Sequence, residues 1–130
     1  MVASMVLMDS PHLVAATDAL RKLTLDGGML VLTMTHPWFW PDYWEYRDES
    51  WFDYMDEIFI EAEFAISLGS SGHTTTHIHR PLDSYLRALS ESGFQLDSIA
   101  ELMPDTASAP LYPEPWRFPR FLGIVATAMT

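Results

Sequence analysis

Residues 20–37, LRKLTLDGGMLVLTMTHP, restrict the fold more than any other stretch of the chain. They read as the end of an amphipathic helix, a Gly-Gly turn, a strand over Met29–Thr35 and a polar His-Pro exit. A helix that passes through a tight turn into a near-continuous apolar strand is half of a parallel α/β unit. Such a strand is expected to be buried on both faces. Gly27 or Gly28 supplies the left-handed conformation that ends the helix. Upstream, residues 2–8 (VASMVLM) read as a short buried strand. Ser10 reads as a helix cap, with Pro11 at the first helical position. Leu13, Ala16, Leu20 and Leu23 recur at helical spacing, and Arg21 and Lys22 sit where the helix dipole favours positive charge.

A chain of 130 residues, 48% of them hydrophobic, suits one domain with one core. No apolar run approaches the roughly 18 to 20 residues that span a bilayer, and no charged leader precedes an apolar stretch. No membrane partner is therefore expected. Cysteine is absent, which excludes disulfide and thiolate chemistry and fits a cytoplasmic location. The formal charge of −11 repels phosphate backbones, so no nucleic-acid partner is expected either. Between residues 42 and 63, nine acidic side chains face Arg47 alone. That run is either a solvated face or a surface that favours a cationic ligand or partner.

From Trp38 to His79 the character changes. Trp38, Phe39, Trp40, Tyr43, Trp44, Tyr46, Trp51, Phe52 and Tyr54 crowd together. Trp51, Tyr54, Met55 and Ile58 fit one face of a short helix. Ile60, Ala62, Phe64, Ile66 and Leu68 then alternate as in a strand, Gly69-Ser70-Ser71-Gly72 reads as a turn, and Thr74, Thr76 and Ile78 alternate again. Together these make a β-hairpin. Residues 81–93 form a helix with Leu82, Tyr85, Leu86 and Leu89 on its apolar face, closed by Gly93. Residues 94–102 read as a strand with Phe94, Leu96 and Ile99 buried. Residues 103–119 hold five prolines and read as a loop. Residues 121–129 are the last strand. Because no helix precedes it, it is expected to run antiparallel to its neighbour.

The order of segments resembles the C-terminal half of a class I S-adenosylmethionine (SAM)-dependent methyltransferase, of the small-molecule type 11 or type 12 kind. The resemblance is carried by VASMVLMDSPHL, ALRKLTLDGGMLVLTMTHPWF, HRPLDSYLRALSESGF and FPRFLGIVATA. It implies an α/β fold: the C-terminal half of a Rossmann-like sheet of parallel strands plus a terminal antiparallel strand, with an aromatic β-hairpin insertion. The chain is then a single partial methyltransferase domain over residues 1–130, with residues 38–80 as a lid-like insertion. The family usually carries Pro-Gly-Gly where this chain has Asp26-Gly27-Gly28. Its glycine-rich cofactor loop has no counterpart, since no G-x-G occurs here.

Ligands in open α/β sheets lie outside the carboxyl ends of the strands. Ala3 to Val6 and Asp9 follow the first strand; Thr35, His36 and Trp38 follow the second. The resemblance implies SAM as cofactor, with backbone around Ala3, Ser4 and Met5 touching it. His36 reads either as a catalytic base for the methyl acceptor or as a cap on backbone groups before Pro37. Trp38, Phe39, Trp40, Tyr43 and Trp44 either wall a substrate pocket, with Trp38 and Tyr43 binding an aromatic or cationic small molecule, or cover the sheet edge. The resemblance makes His79 and Arg80 substrate-side or lid-hinge residues; alternatively Arg80 is a structural partner of an insertion carboxylate. His73, His77 and His79 lack the cysteine or paired carboxylates that complete a metal set, so no metal is expected.

The function implied is methyl transfer from SAM to a small molecule in the complete protein, with this chain inactive alone. A non-catalytic oligomerising or small-ligand-binding module is the competing reading. The first strand would leave an exposed sheet edge, which predicts a homo-oligomer.

Overall fold

The computed structural model describes residues 1–66 and 69–130. Its frame is a four-stranded sheet of β1 (Val2–Ser4), β2 (Met29–Thr35), β6 (Phe121–Ala128) and β5 (Phe94–Leu102), in the spatial order β1-β2-β6-β5. β1 and β2 run parallel, with Ala3 opposite Leu32. β6 is antiparallel to β2 on one side and to β5 on the other. The reversed last strand follows the sequence reading. The connection 103–119 holds only a short 3-10 turn at Ala109–Leu111, which cannot carry a right-handed crossover.

Two helices lie on one face of this sheet, α1 (Leu13–Leu23) and α3 (Leu82–Glu91). The core lies between. Leu30, Leu32 and Met34 of β2 and Leu122, Ile124, Ala126 and Ala128 of β6 meet Tyr85 and Leu89 of α3, with Leu13, Ala16 and Leu20 of α1 packed alongside. The expected burial of β2 on both faces is corrected. Its residues alternate, with Met29 exposed and Val31 and Thr33 half-buried, because both helices cover the same side. The same arrangement leaves Val2 and Ile99 exposed, against the burial expected of each.

The Gly-Gly turn works as expected, and needs both residues. Gly27 has φ +72, and a Cβ on Gly28 would sit 2.7 Å from the Leu25 carbonyl oxygen. α1 begins later than expected. Ser10 does not cap it, since its hydroxyl donates to the Val6 carbonyl at 3.0 Å. Leu7–Asp9 instead forms a 3-10 turn.

Between β2 and α3 lies the insertion. It contains α2 (Trp40–Tyr43) and an antiparallel pair, β3 (Ile58–Ile66) and β4 (Gly69–His79). The hairpin matches the sequence alternation, but Gly69–Gly72 belongs to β4 rather than to a turn. The expected strand position of Leu68 lies outside the described residues. The short helix expected around 51–58 is absent. Asp53 accepts the Met55 N–H at 2.9 Å and Phe52 N–H donates to Glu49 O at 3.0 Å, so turns replace it. No helix among the described residues is long and apolar enough to cross a membrane.

Arg80 fastens the insertion to the sheet. Its guanidinium, 2% exposed, donates to Glu57 Oε2 at 2.5 Å, to Ser10 O at 2.8 Å, and to Leu7 O and Pro11 O at 3.3 Å each. The Tyr54 carbonyl accepts from His79 Nε2 at 2.9 Å, and the Tyr54 hydroxyl accepts the Leu82 N–H at 3.0 Å, capping α3. His79 and Arg80 are therefore a clamp rather than a hinge. Arg80→Leu should cost about 3–5 kcal/mol in urea unfolding, since it strips buried carbonyls of their donor. A loss within the range of an exposed ion pair, about 0–1 kcal/mol, would count against the clamp.

Candidate functional site

A cavity of about 730 Å³ opens at the carboxyl ends of β1 and β2. Each wall has a local origin. Met5 ends β1 with φ 56, its N–H held by the Thr33 carbonyl at 2.8 Å. A left-handed non-glycine residue is strained, and such positions concentrate at functional sites. The 3-10 turn that follows presents Met8 and Asp9 to the cavity, and Thr35 ends β2 beside them. The exit from β2 is fixed by the His36 N–H to Arg120 O (2.8 Å), and Trp40 N–H to His36 O (2.8 Å) starts α2, with Pro41 in its first turn. That helix delivers Trp40, Tyr43 and Trp44. β4 contributes Thr75 and His77. The proline-rich loop brings Tyr112, Glu114 and Trp116, and the entry to β6 brings Arg120 and Phe121.

The lining is mainly aromatic and continuous. Trp40 contacts Tyr43, Trp44 and Phe121 at centroid distances of 4.9, 5.5 and 5.7 Å. Trp116 contacts Tyr112 at 5.0 Å and Phe121 at 5.6 Å. Polar groups punctuate this wall. The Arg120 guanidinium lies over the Tyr43 ring at 4.1 Å and over the Trp116 ring at 4.5 Å. The indole N–H groups of Trp40 and Trp116 are buried, with no acceptor among the described residues. Each such orphan costs about 1–3 kcal/mol. His77 Nδ1 is 3.9 Å from Asp9 Oδ1, and its ring leans on Trp44 at 5.4 Å. Burial lowers the His77 pKa to about 4, helped by the nearby His79 and Arg80 charges. Burial also raises the Asp9 carboxyl above its usual range. At neutral pH the imidazole is uncharged and accepts hydrogen bonds.

Of the residues the sequence offered for cofactor or substrate, Met5, Trp40, Tyr43 and Trp44 line the cavity. Ala3 is strand interior, and Ser4 Oγ pairs with Thr33 Oγ1 at 2.8 Å. His36 is buried and has both ring nitrogens occupied. Nδ1 accepts the Trp38 N–H at 3.2 Å, so Nε2 carries the proton and donates to Glu101 at 3.0 Å. No lone pair remains for a substrate proton, which is the capping reading of this residue. Trp38 stands outside the cavity, edge-on to Tyr54 at 5.0 Å with Arg47 4.6 Å above its ring. His79 and Arg80 serve the clamp. No group of metal-ligating side chains occurs among the described residues.

Sequence reasoning placed Asp9 at a strand exit but gave it no role, weighed His77 only for metal, and passed over Trp116 and Arg120. The signal for the last two was present in WRFPRF (residues 116–121), where arginines alternate with aromatic rings inside a loop.

No protein-family model matches the sequence, and no curated protein does. Solved structures do. A putative SAM-dependent methyltransferase of Listeria monocytogenes is 25% identical, with a TM-score of 0.74 over 99% of this chain and 60% of that one. A SAM-dependent methyltransferase of Mesorhizobium loti is 18% identical, with a TM-score of 0.63 over 97% of this chain and 60% of that one. A glycopeptide N-methyltransferase complexed with SAM is 14% identical, with a TM-score of 0.52 over 99% of this chain and 53% of that one. The chain thus spans about 60% of the length of the first two. It has the α/β fold of part of a SAM-dependent methyltransferase, and its reversed last strand agrees with the expected C-terminal half.

His77 also sets a pH dependence. Unfolded, it titrates near 6.5; folded, near 4. Between those values the unfolded chain takes up a proton that the native chain refuses, so stability falls as the pH drops through this window. His79, also lowered by burial, acts with the same sign. The His77 contribution is on the order of 3 kcal/mol when complete. Denaturant unfolding from pH 7 to 4 should show this loss, and His77→Gln should flatten it. An unchanged slope in the variant would show that the imidazole is not the titrating group.

Proposed function

We propose that the cavity is the methyl-acceptor side of a SAM-dependent methyl-transfer site, the cofactor lying across the carboxyl ends of β1 and β2. The observation that carries this reading is the position of the cavity, at the ends of the two parallel strands of an α/β sheet. The fit to the cofactor is partial. The Asp9 carboxylate suits a sulfonium cation, and Met5 is exposed at the strand end. A glycine-rich loop is absent from this sequence. The chain alone therefore holds SAM weakly and is inactive without further protein.

The cofactor supplies an activated methyl group. The chain's own residues do the rest. The aromatic wall orients the acceptor and excludes water. The Asp9 carboxylate, whose pKa burial raises, takes the proton of the acceptor's O–H or N–H, and the uncharged His77 beside it accepts a hydrogen bond from a second donor of the acceptor.

Nuclear magnetic resonance with added SAM tests this directly. Resonances of Met5, Asp9 and Thr35 should shift, without saturation over a practical concentration range. Shifts confined to other surfaces would defeat the assignment, and tight stoichiometric binding by calorimetry would defeat the claim of weakness.

A second reading, of an oligomerising module, is favoured by the β1 edge. Met1 O and Met5 N–H bond inward to β2, so by strand alternation the backbone groups of Val2 and Ser4 point outward, with no partner strand among the described residues. Light scattering should then show a mass that rises with concentration. A constant monomer mass would remove this reading.

A further inference from the structure

We propose that the cavity takes a planar aromatic carboxylate, anchored by the Arg120 guanidinium. The proposal deepens the acceptor-site reading above by naming the ligand class, and its binding test needs no cofactor.

Arg120 is the cationic donor of the cavity, its Cζ 4.1 Å from the Tyr43 ring centroid and 4.5 Å from that of Trp116. Rings that hold a guanidinium by cation–π contact leave its N–H groups free for a carboxylate. No carboxylate fills that role among the described residues: no ion pair of Arg120 is formed, although Arg21, Arg47, Arg80 and Arg87 each have one. Stacking also fixes the orientation of the fork before any ligand arrives, which lowers the entropic cost of using it. A carboxylate matches such a guanidinium with two parallel N–H···O bonds.

The remaining wall selects for a flat ring. Phe121 and Trp44 continue the aromatic surface, and a cavity of about 730 Å³ leaves room for substituents beyond one ring. A cationic ligand fits less well. The faces of Tyr43 and Trp116 that would bind an ammonium already carry the Arg120 charge. The overall charge of −11 opposes an anion at long range. That field is screened within about 8–10 Å at ordinary salt; within the cavity the Arg120 guanidinium attracts a carboxylate against the opposing charges of Asp9 and Glu114.

The test is calorimetric titration of the full chain with three probes of similar shape: benzoate, benzamide and benzylamine. Benzoate should bind at least about tenfold more tightly than benzamide, as expected for a charge-assisted fork, and benzylamine should bind most weakly. Arg120→Gln should abolish the benzoate preference, and Arg120→Lys should retain part of it. Equal binding of benzoate and benzamide, tightest binding of benzylamine, or an unchanged preference in Arg120→Gln would each overturn the proposal. If Arg120→Gln fails to fold by circular dichroism, Arg120→Lys decides. It keeps the charge and removes the planar fork, and should weaken benzoate severalfold while leaving benzamide less affected; equal effects on both would overturn the proposal. Loss of the SAM response at Met5 and Asp9 with the carboxylate preference intact would fail the methyl-transfer reading and leave this one standing. The reverse pattern would do the opposite.

Discussion

A buried guanidinium holds the molecule in register. Burying a charge is costly unless its donors are used, and Arg80 uses them on three backbone carbonyls and one carboxylate drawn from two distant segments. The path of the chain after β1 follows from that demand. Ser10 and Pro11 turn their carbonyls to Arg80 and so cannot begin a helix, which delays α1 to Leu13. The loop so formed carries Asp9 towards the cavity. His77, three residues before Arg80 on β4, is delivered to the same place from the other side. The Asp9–His77 pair of the site is therefore a by-product of the clamp.

The acid-rich run divides into unlike parts once it is folded. Asp42 pairs with Arg47 at 2.7 Å, Glu57 serves Arg80, and Asp53 closes a turn. Glu45, Asp48, Glu49 and Asp56 stand exposed. None of the acids in the run lines the aromatic cavity, whose carboxylates come from Asp9 and Glu114. The solvated-face reading thus describes most of the run, and the cavity owes its polarity to residues outside it.

What could be read in advance follows the range of the interactions involved. The α1–β2 unit, the α3 face of Leu82, Tyr85, Leu86 and Leu89, and the hairpin are local patterns, and each appears in the structure. The antiparallel last strand followed from the length and proline content of one loop. Burial was harder, because periodicity marks two faces of a strand without saying whether a helix covers both; β2 and Val2 show the difference. The site was least legible. Arg120 meets Tyr43 across more than seventy residues of sequence, and His36, well placed by its strand, is consumed by bonds to Trp38 and Glu101. No spacing rule reports either event.

The place of β6 has a consequence for biosynthesis. The strand made last stands between β2 and β5, and almost every backbone rung of the sheet beyond the β1–β2 pair involves it. Pairings so distant in sequence close slowly, and here they cannot begin until residues 121–128 have left the ribosome. Until then β2 and β5 are separate ribbons with open edges, exposed to nascent neighbours on the same message. A nonsense change anywhere upstream of Phe121 would remove the keystone strand, and so the whole sheet rather than its tail.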